Sequence, residues 1–297
     1  MLIIAGYLIK RAGIVEEAGW RGLDQLSFFM LYPVLLFVSI IKADFSKIAV
    51  FDILGVMSAS WLIVGLAISV VGPYLIRASL IAQTQYSSVF QATIRWNGFI
   101  ALAIAERMYG TEAMAVIALV MAGLVLPVNL AAIYVVTAYA NNAKQGSGAV
   151  LKRMATNPIV LACVAALVWR ATGFTLFEPV MTTLDLISRG ALAMGLFGIG
   201  AGLTANALLK FDIAHLLPVV LKLLVMPLVA LAAVTFTGLG ASQLPTIILC
   251  SAVPTAMNGY VVARQLGGDA PLYAAIVTTQ TLLSFFTIPF WLLITAV

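Results

Sequence analysis

Asn-Gly-Phe-Ile at residues 97–100 returns as Asn-Gly-Tyr-Val at residues 258–261, 161 residues later in the chain. Three other short motifs return in the same order at offsets of 157 to 161 residues: those at residues 11–13, 23–27 and 107–113 recur at 170–173, 184–188 and 264–270. One such match alone would be weak evidence. Four matches in order, at a nearly constant offset, predict an internal repeat, and this repeat decides the fold class.

The composition is that of a membrane protein. The chain has 297 residues, of which 63% are hydrophobic and only 9% are charged. A soluble domain carries about 25% charged residues, so most of this chain cannot face water. Apolar runs of about 20 residues, the length that a helix needs to cross a bilayer, recur along the whole chain. Because these runs are unbroken rather than alternating, they predict an all-α membrane protein surrounded by lipid.

Ten membrane spans are predicted, five in each half of the chain. They lie at about residues 1–14, 20–42, 50–76, 83–109, 111–139, 157–173, 179–208, 213–238, 241–266 and 270–296. The halves are residues 1–140 and 157–297, joined by a polar linker at residues 141–156. Because five is odd, the second half enters the membrane from the opposite side. Such inverted repeats are typical of secondary transporters, whose substrate binds near the midplane at the repeat interface.

The distribution of Lys and Arg among the loops predicts the orientation. If the N-terminus is outside, the inner loops hold nine basic residues: Lys10, Arg11, Arg21, Arg77, Lys144, Lys152, Arg153, Lys210 and Arg264. The outer loops then hold four: Lys42, Lys47, Arg107 and Arg170. Cytoplasmic loops carry the excess of basic residues, so both termini are expected outside the cell membrane and the linker in the cytoplasm. The net charge of +5 therefore indicates topology rather than a nucleic-acid partner.

The fourth and ninth spans are predicted to be interrupted. Each carries an Asn-Gly pair, Asn97-Gly98 and Asn258-Gly259, and the ninth adds Pro254. In a helix interior Gly costs about 1 kcal/mol and Pro about 3 kcal/mol relative to Ala. A half-helix that starts inside the membrane presents unpaired N–H groups suited to a carboxylate, and the two amides add donors and acceptors. The alternative is that each Asn joins helices and each Gly allows close packing, but the paired placement favours a substrate site.

Two cations inside predicted spans, Arg95 and Lys222, are candidates to balance an anionic substrate, because charge within a membrane is costly. Lys222 has two alternatives: an ion pair with an acid such as Asp185, or extension of its side chain toward an interface. Asp185 and Arg189 lie four residues apart on one helix face and are expected to pair with each other. Asp24 and Asp185 could form a proton or sodium site, or cap helix starts.

Nothing in the sequence indicates catalysis. The chain contains no H-E-x-x-H motif, P-loop or nucleophile elbow, and it is predicted to be no enzyme and to need no cofactor or metal. His215, the sole histidine, is placed at a loop and has no predicted metal role. Cys163 and Cys250 lie in apolar runs and are interpreted as packing residues.

Several segments resemble the auxin efflux carrier family: residues 23–29, 32–37, 157–160, 221–227 and 252–256. The resemblance implies ten helices, of which spans one, two, six and seven form a scaffold, spans three to five and eight to ten form a mobile domain, and the fourth and ninth cross at the substrate site. It also implies a homodimer and assigns the contact with the substrate carboxylate to Asn97 and Asn258. Bacterial members include carriers of malonate and malate, and plant members export auxin. Unlike the plant pattern, this chain has a short linker and no proline before Asn97, which predicts a milder first break.

The sequence therefore predicts a carrier of small organic anions that works by alternating access, with a site at Asn97, Gly98, Asn258, Gly259, Pro254, Arg95 and Lys222. One alternative is a sodium-coupled symporter like the bile-acid carriers, which acidic residues beside the breaks would favour; neither Asn-Gly pair has one. The other is a membrane sensor that keeps the fold but binds its ligand without moving it.

Overall fold

The structure is a computed structural model that describes residues 1–42, 49–139, 158–203, 212–240 and 243–295. The predicted linker at residues 141–156 lies outside the described residues, as do Lys47 and Lys210. Every regular element in the described part of the chain is helical, which confirms the expected fold class at this level.

The first half of the chain forms α1 (Leu2–Arg11), α2 (Glu17–Lys42), α3 (Val50–Arg77), α4 (Gln83–Ile94), α5 (Gly98–Met108) and α6 (Gly110–Tyr139). The second half forms α7 (Pro158–Ala171), α8 (Glu178–Gly202), α9 (Ile213–Val234), α10 (Leu244–Ala252), α11 (Asn258–Leu266) and α12 (Ala270–Thr295). Each predicted span contains one helix, except the fourth and the ninth, which contain two each.

Five of these helices, α2, α3, α8, α9 and α12, are long and apolar enough to cross a bilayer. Shorter apolar stretches occur at Gly110–Met121, Pro127–Tyr139 and Leu161–Ala171. These lengths fit the roughly 30 Å of hydrocarbon that a span must cross. Ten spans in two inverted repeats stay a prediction.

Two of the long helices contain a π-helical turn that lies two residues before a proline: Ser27–Leu31 in α2 and Leu221–Val225 in α9. Because proline has no backbone N–H, the carbonyl four residues earlier loses its usual helical partner. For Pro227 that carbonyl belongs to Leu223, and it accepts a 2.8 Å hydrogen bond from Trp291 Nε1 instead. The chain thus satisfies the released group with a side chain of α12, within a π turn of a kind often found at functional sites.

The described chain divides into two compact units. The first comprises Met1–Ile48, Phe99–Gly123 and Leu151–Leu203. In it α1 packs along α8, and the two backbones nearly touch: a Cβ on Gly6 would lie 2.0 Å from the carbonyl oxygen of Phe197. Helix α2 packs against α7 and α8, so these four helices form the body of this unit.

The second unit comprises Ala49–Gly98, Leu124–Val150 and Thr204–Val297. Helix α12 is its central element, because most of its residues are buried and it contacts α4, α9, α10 and α11. Helix α3 packs against α4 and α9. The arrangement brings the ends of α4 and α10 beside the same helix, α12.

Two local expectations are wrong. Asp24 and Asp185 do not cap helix starts, because α2 begins at Glu17 and α8 at Glu178, so both acids lie inside helices. His215 does not lie in a loop but in the first turn of α9, where it is buried. In each case the polar turn that precedes an apolar run is helical too, which hydrophobicity alone did not indicate.

Candidate functional site

Both predicted interruptions are present. Helix α4 ends at Ile94 and α5 begins at Gly98, while α10 ends at Ala252 and α11 begins at Asn258. The first break is therefore residues 95–97 and the second break residues 253–257. Both start with one extended residue, with φ −72° and ψ 155° at Arg95 and φ −65° and ψ 148° at Val253. The first break is the shorter, as the absence of proline before Asn97 predicted.

The two breaks contact each other within the second unit. The backbone N–H of Asn97 donates a 2.8 Å hydrogen bond to the carbonyl oxygen of Pro254. Asn97 is almost fully buried, and buried backbone groups without a helical partner must be paired elsewhere. The second break thus supplies the hydrogen-bond acceptor for a backbone N–H of the first. The predicted site residues Asn97 and Pro254 are brought together in this way.

Gln280 of α12 connects three parts of the unit. Its Oε1 accepts a 2.8 Å hydrogen bond from the backbone N–H of Thr255, in the second break. Its Nε2 donates to the carbonyl oxygens of Ala92 at 3.2 Å and Pro218 at 2.9 Å. Ala92 lies in the last turn of α4, just before the first break. One fully buried amide therefore holds the end of α4, the second break and α9 in one arrangement.

Tyr273, also on α12, closes the second break. Its hydroxyl donates to the carbonyl oxygen of Ala256 at 2.7 Å and lies 3.1 Å from Thr255 Oγ1. The ring lies so close to Gly259 that a Cβ there would be 2.3 Å from the ring carbon Cζ. The glycine at this position is thus explained by packing against Tyr273.

Arg95 is the charged residue of the first break, and its side chain is buried, with 3% exposed. Its Nε donates to Gln91 Oε1 at 3.2 Å, and its Nη1 donates to Asn129 Oδ1 at 2.8 Å and to Asn258 Oδ1 at 3.4 Å. No Asp or Glu of the described residues forms an ion pair with it. Three neutral amide oxygens therefore surround a full positive charge.

Two donors in this cluster have no hydrogen-bond partner in the described chain: Arg95 Nη2 and Gln91 Nε2, both buried. A buried charge without a counter-ion costs several kcal/mol, and each buried unpaired donor adds about 1–3 kcal/mol. A guanidinium presents its N–H groups in a planar fork that matches a carboxylate. The arrangement can therefore bind an anion whose oxygens supply both the missing charge and the missing acceptors.

Lys222 is a second buried cation, in the π turn of α9 and close to Cys250 of α10. Its ammonium is enclosed by protein rather than extended toward an interface. The alternative ion pair with Asp185 is wrong, because Asp185 binds Lys42 Nζ at 2.7 Å and Arg189 Nη2 at 3.9 Å. The expected pairing of Asp185 with Arg189 is confirmed. Among the residues that the structure describes, no acid pairs with Lys222.

Four residues of this region were missed by the sequence reasoning: Gln91, Asn129, Tyr273 and Gln280. Three of them are amides inside predicted apolar spans, where an uncharged polar side chain is uncommon and usually has a partner. That placement was a usable signal. Tyr273 gave none, since an aromatic residue at a span end is ordinary.

Comparison with known proteins gives a family. Residues 1–292 match the family model described as membrane transport protein. An uncharacterized transporter of Escherichia coli K12, YfdV, is 23% identical over 302 residues, which cover 98% of this chain and 94% of that protein. A Rhizobium meliloti protein named "Putative malonate transporter" is 24% identical, with coverage of 97% and 90%. An uncharacterized transporter of Methanothermobacter thermautotrophicus is also 24% identical, with coverage of 98% and 94%.

Proposed function

This chain belongs to the membrane transport protein family, that of the auxin efflux carriers, and is a multi-pass membrane protein; we propose that it carries small organic anions by alternating access. The observation that carries the proposal is the buried guanidinium of Arg95. It lies between two broken helices, has only amide oxygens around it, and keeps one unpaired nitrogen. An anionic substrate would compensate this charge, which no acidic side chain in the described residues does.

Each site residue has a proposed role. Arg95 Nη2 and Gln91 Nε2 bind a substrate carboxylate, and the amides of Asn97 and Asn258 orient it. Gly98, the first residue of α5, offers its backbone N–H at a helix N-terminus, where anions are favoured. Gly259 and Pro254 shape the second break rather than contact the substrate.

Lys222 is proposed as a second cation for the same anion. It lies next to Cys250, and Cys250 is three residues before the second break. A buried ammonium without an acidic partner among the described residues has the same electrostatic deficit as Arg95. Two cations suit a substrate with two carboxylates better than a monoacid. Malonate is thus the first substrate to test, in keeping with the name of the Rhizobium meliloti relative.

The architecture proposed for transport has ten spans in two inverted repeats, with residues 1–140 and 157–297 joined by a cytoplasmic linker. Spans one, two, six and seven would form the scaffold and the others the moving domain, in a homodimer in the cell membrane with both termini outside. The charge bias of the loops supports this orientation.

A cysteine introduced at position 146 should resist an impermeant reagent added outside intact cells that express a Cys163→Ala/Cys250→Ala protein. Efficient labelling from outside would contradict this orientation.

Counterflow in proteoliposomes tests the function. Vesicles loaded with unlabelled malonate, malate or indole-3-acetate should accumulate the same labelled acid from outside. Arg95→Gln should abolish accumulation, while Arg264→Gln, which removes an exposed arginine from α11, should preserve it. Imposed sodium and proton gradients test the sodium-coupled alternative, which predicts accumulation only with sodium. Saturable binding without counterflow, for all three acids and every gradient, would contradict transport and support a sensor.

A further inference from the structure

The first unit contains a charged cleft of about 430 Å³. None of the residues that form it belongs to the site proposed above. Five ionisable residues line it: Lys42, Glu106, Arg107, Asp185 and Arg189. The rest of the wall is apolar or carries hydroxyl groups. Clefts of about 300–1,000 Å³ are typical of small-molecule sites. None of the transport roles assigned above uses these residues.

The charges of this cleft are unbalanced. Asp185 is shared by two cations, Lys42 at 2.7 Å and Arg189 at 3.9 Å. Arg107 forms no ion pair with any described residue, and Glu106 precedes it on α5, where adjacent residues face different directions. Three cations and two carboxylates leave one positive charge in excess. One carboxylate thus serves two cations on one wall, and a cation on the other wall has none.

The shared ion pair is also open to exchange. The side chains of Lys42, Asp185 and Arg189 are 39%, 27% and 75% exposed. Ion pairs that water reaches to this extent contribute little to stability, so an incoming carboxylate can replace Asp185 at little cost. An ion pair that only joined α2 to α8 would need one cation, whereas this cleft contains three.

We propose that this cleft is a second anion site, which binds a small dicarboxylate in competition with the carboxylate of Asp185. One ligand carboxylate lies between Lys42 and Arg189, and the other binds Arg107. Asp185 acts as an internal competitor: it holds the two cations when the cleft is empty and yields them when the ligand enters. The proposal does not depend on transport through the other site, because every residue in it belongs to the first unit.

Equilibrium binding of labelled malonate to the purified protein tests the proposal, because each substitution should change the affinity in a stated direction. The background is Arg95→Gln, which removes the other proposed anion site, with Asn258→Ala as a second background in case the first folds poorly. In this background malonate should still bind. Arg107→Gln should weaken binding by about two- to fivefold, and Asp185→Asn should strengthen it by about two- to fivefold.

The matched control is Arg21→Gln, which removes an exposed arginine of α2 outside the cleft and should leave the affinity unchanged. Raising the salt concentration should weaken binding, because partly exposed charges are screened. Loss of all binding in both backgrounds overturns the proposal. So does Asp185→Asn if it binds malonate no more tightly than its parent, because Asp185 would then be no competitor. If Arg95→Gln binds malonate as tightly as the wild-type protein, the proposed function is wrong. The opposite changes in affinity expected for Arg107→Gln and Asp185→Asn still test the cleft in that case.

Discussion

The two breaks of the second unit have the same backbone plan and different chemistry. Both follow a helix with one extended residue, and each contacts the other through the hydrogen bond from Asn97 to Pro254. The first break carries a buried cation whose donors are only partly used. The second break is neutral, and the hydroxyl of Tyr273 and the amide of Gln280 hold its backbone in place.

This difference indicates a division of labour. A break whose backbone is held by several hydrogen bonds to the protein is kept in one arrangement and has less to offer a ligand. A break that keeps unpaired donors next to a charge is destabilised until a ligand supplies acceptors. The first break is thus suited to binding a ligand, and the second to holding the surrounding backbone in place. The sequence nevertheless marks both with the same Asn-Gly pair.

The largest expected effect comes from Arg95→Gln. Arg95 Nη2 can donate two charge-assisted hydrogen bonds to a carboxylate, worth about 1.5–3 kcal/mol each, so losing both should lower the malonate affinity at least about a hundredfold. Stability without substrate should stay the same or increase, because an uncompensated buried charge is removed. Labelled malonate binding and thermal unfolding in detergent measure the two quantities.

Arg95→Lys refines this test. Lysine keeps the charge but not the planar fork, so its affinity should lie between those of Arg95→Gln and the wild type. Arg264→Gln is again the control. If Arg95→Gln keeps its affinity and loses stability instead, the arginine is structural, and the contrast between the two breaks is wrong.

Asn97→Ala and Asn258→Ala should each lower the affinity by about ten- to a hundredfold, because each removes one polar partner of a bound charged group. At Asn258, whose side chain is exposed, stability without substrate should change little, since water can replace the amide. The stabilisation by saturating malonate should shrink in both variants, as measured by thermal shift. Asparagines that only join helices would behave in the opposite way, with lower stability and normal affinity, and that outcome in both variants would exclude this site.

Gly259→Ala tests whether packing against Tyr273 holds the second break in place. The added Cβ would lie 2.3 Å from the ring of Tyr273, so the break must shift, and overpacking of this kind costs about 1–3 kcal/mol of stability. The control is Gly55→Ala in α3, where no atom lies within 4 Å of the new Cβ. Alanine there should be neutral or gain up to about 1 kcal/mol from its helix propensity. Equal stability of the two variants, in detergent without substrate, would mean that Tyr273 does not hold the break.

Much of the fold could be predicted because its determinants are local. Apolar runs place the helices to within a few residues, and Asn97-Gly98 and Pro254 mark the breaks because Gly, Asn and Pro weaken a helix wherever they occur. The errors at Asp24, Asp185 and His215 are also local, since the polar first turn of a helix has no hydrophobic signal.

The site itself depends on pairs that lie far apart in the chain. Arg95 is 34 residues from Asn129 and 163 from Asn258, and Gln280 is 188 residues from Ala92. Residues this far apart meet only because α12 packs against α4, α9, α10 and α11. A single sequence identifies each polar residue but not its partner.

The sequence alone determined that this protein is a helical membrane protein with two interrupted helices and a cation at one of them, since these properties follow from hydrophobicity and backbone preference along the chain. Only the tertiary structure decided that Arg95 lies among amide oxygens, and that Asp185 binds Lys42 and Arg189 instead of Lys222. The physical reason is that the energy of a buried charge depends on the groups within a few ångströms of it, and helix packing, not sequence order, selects those groups.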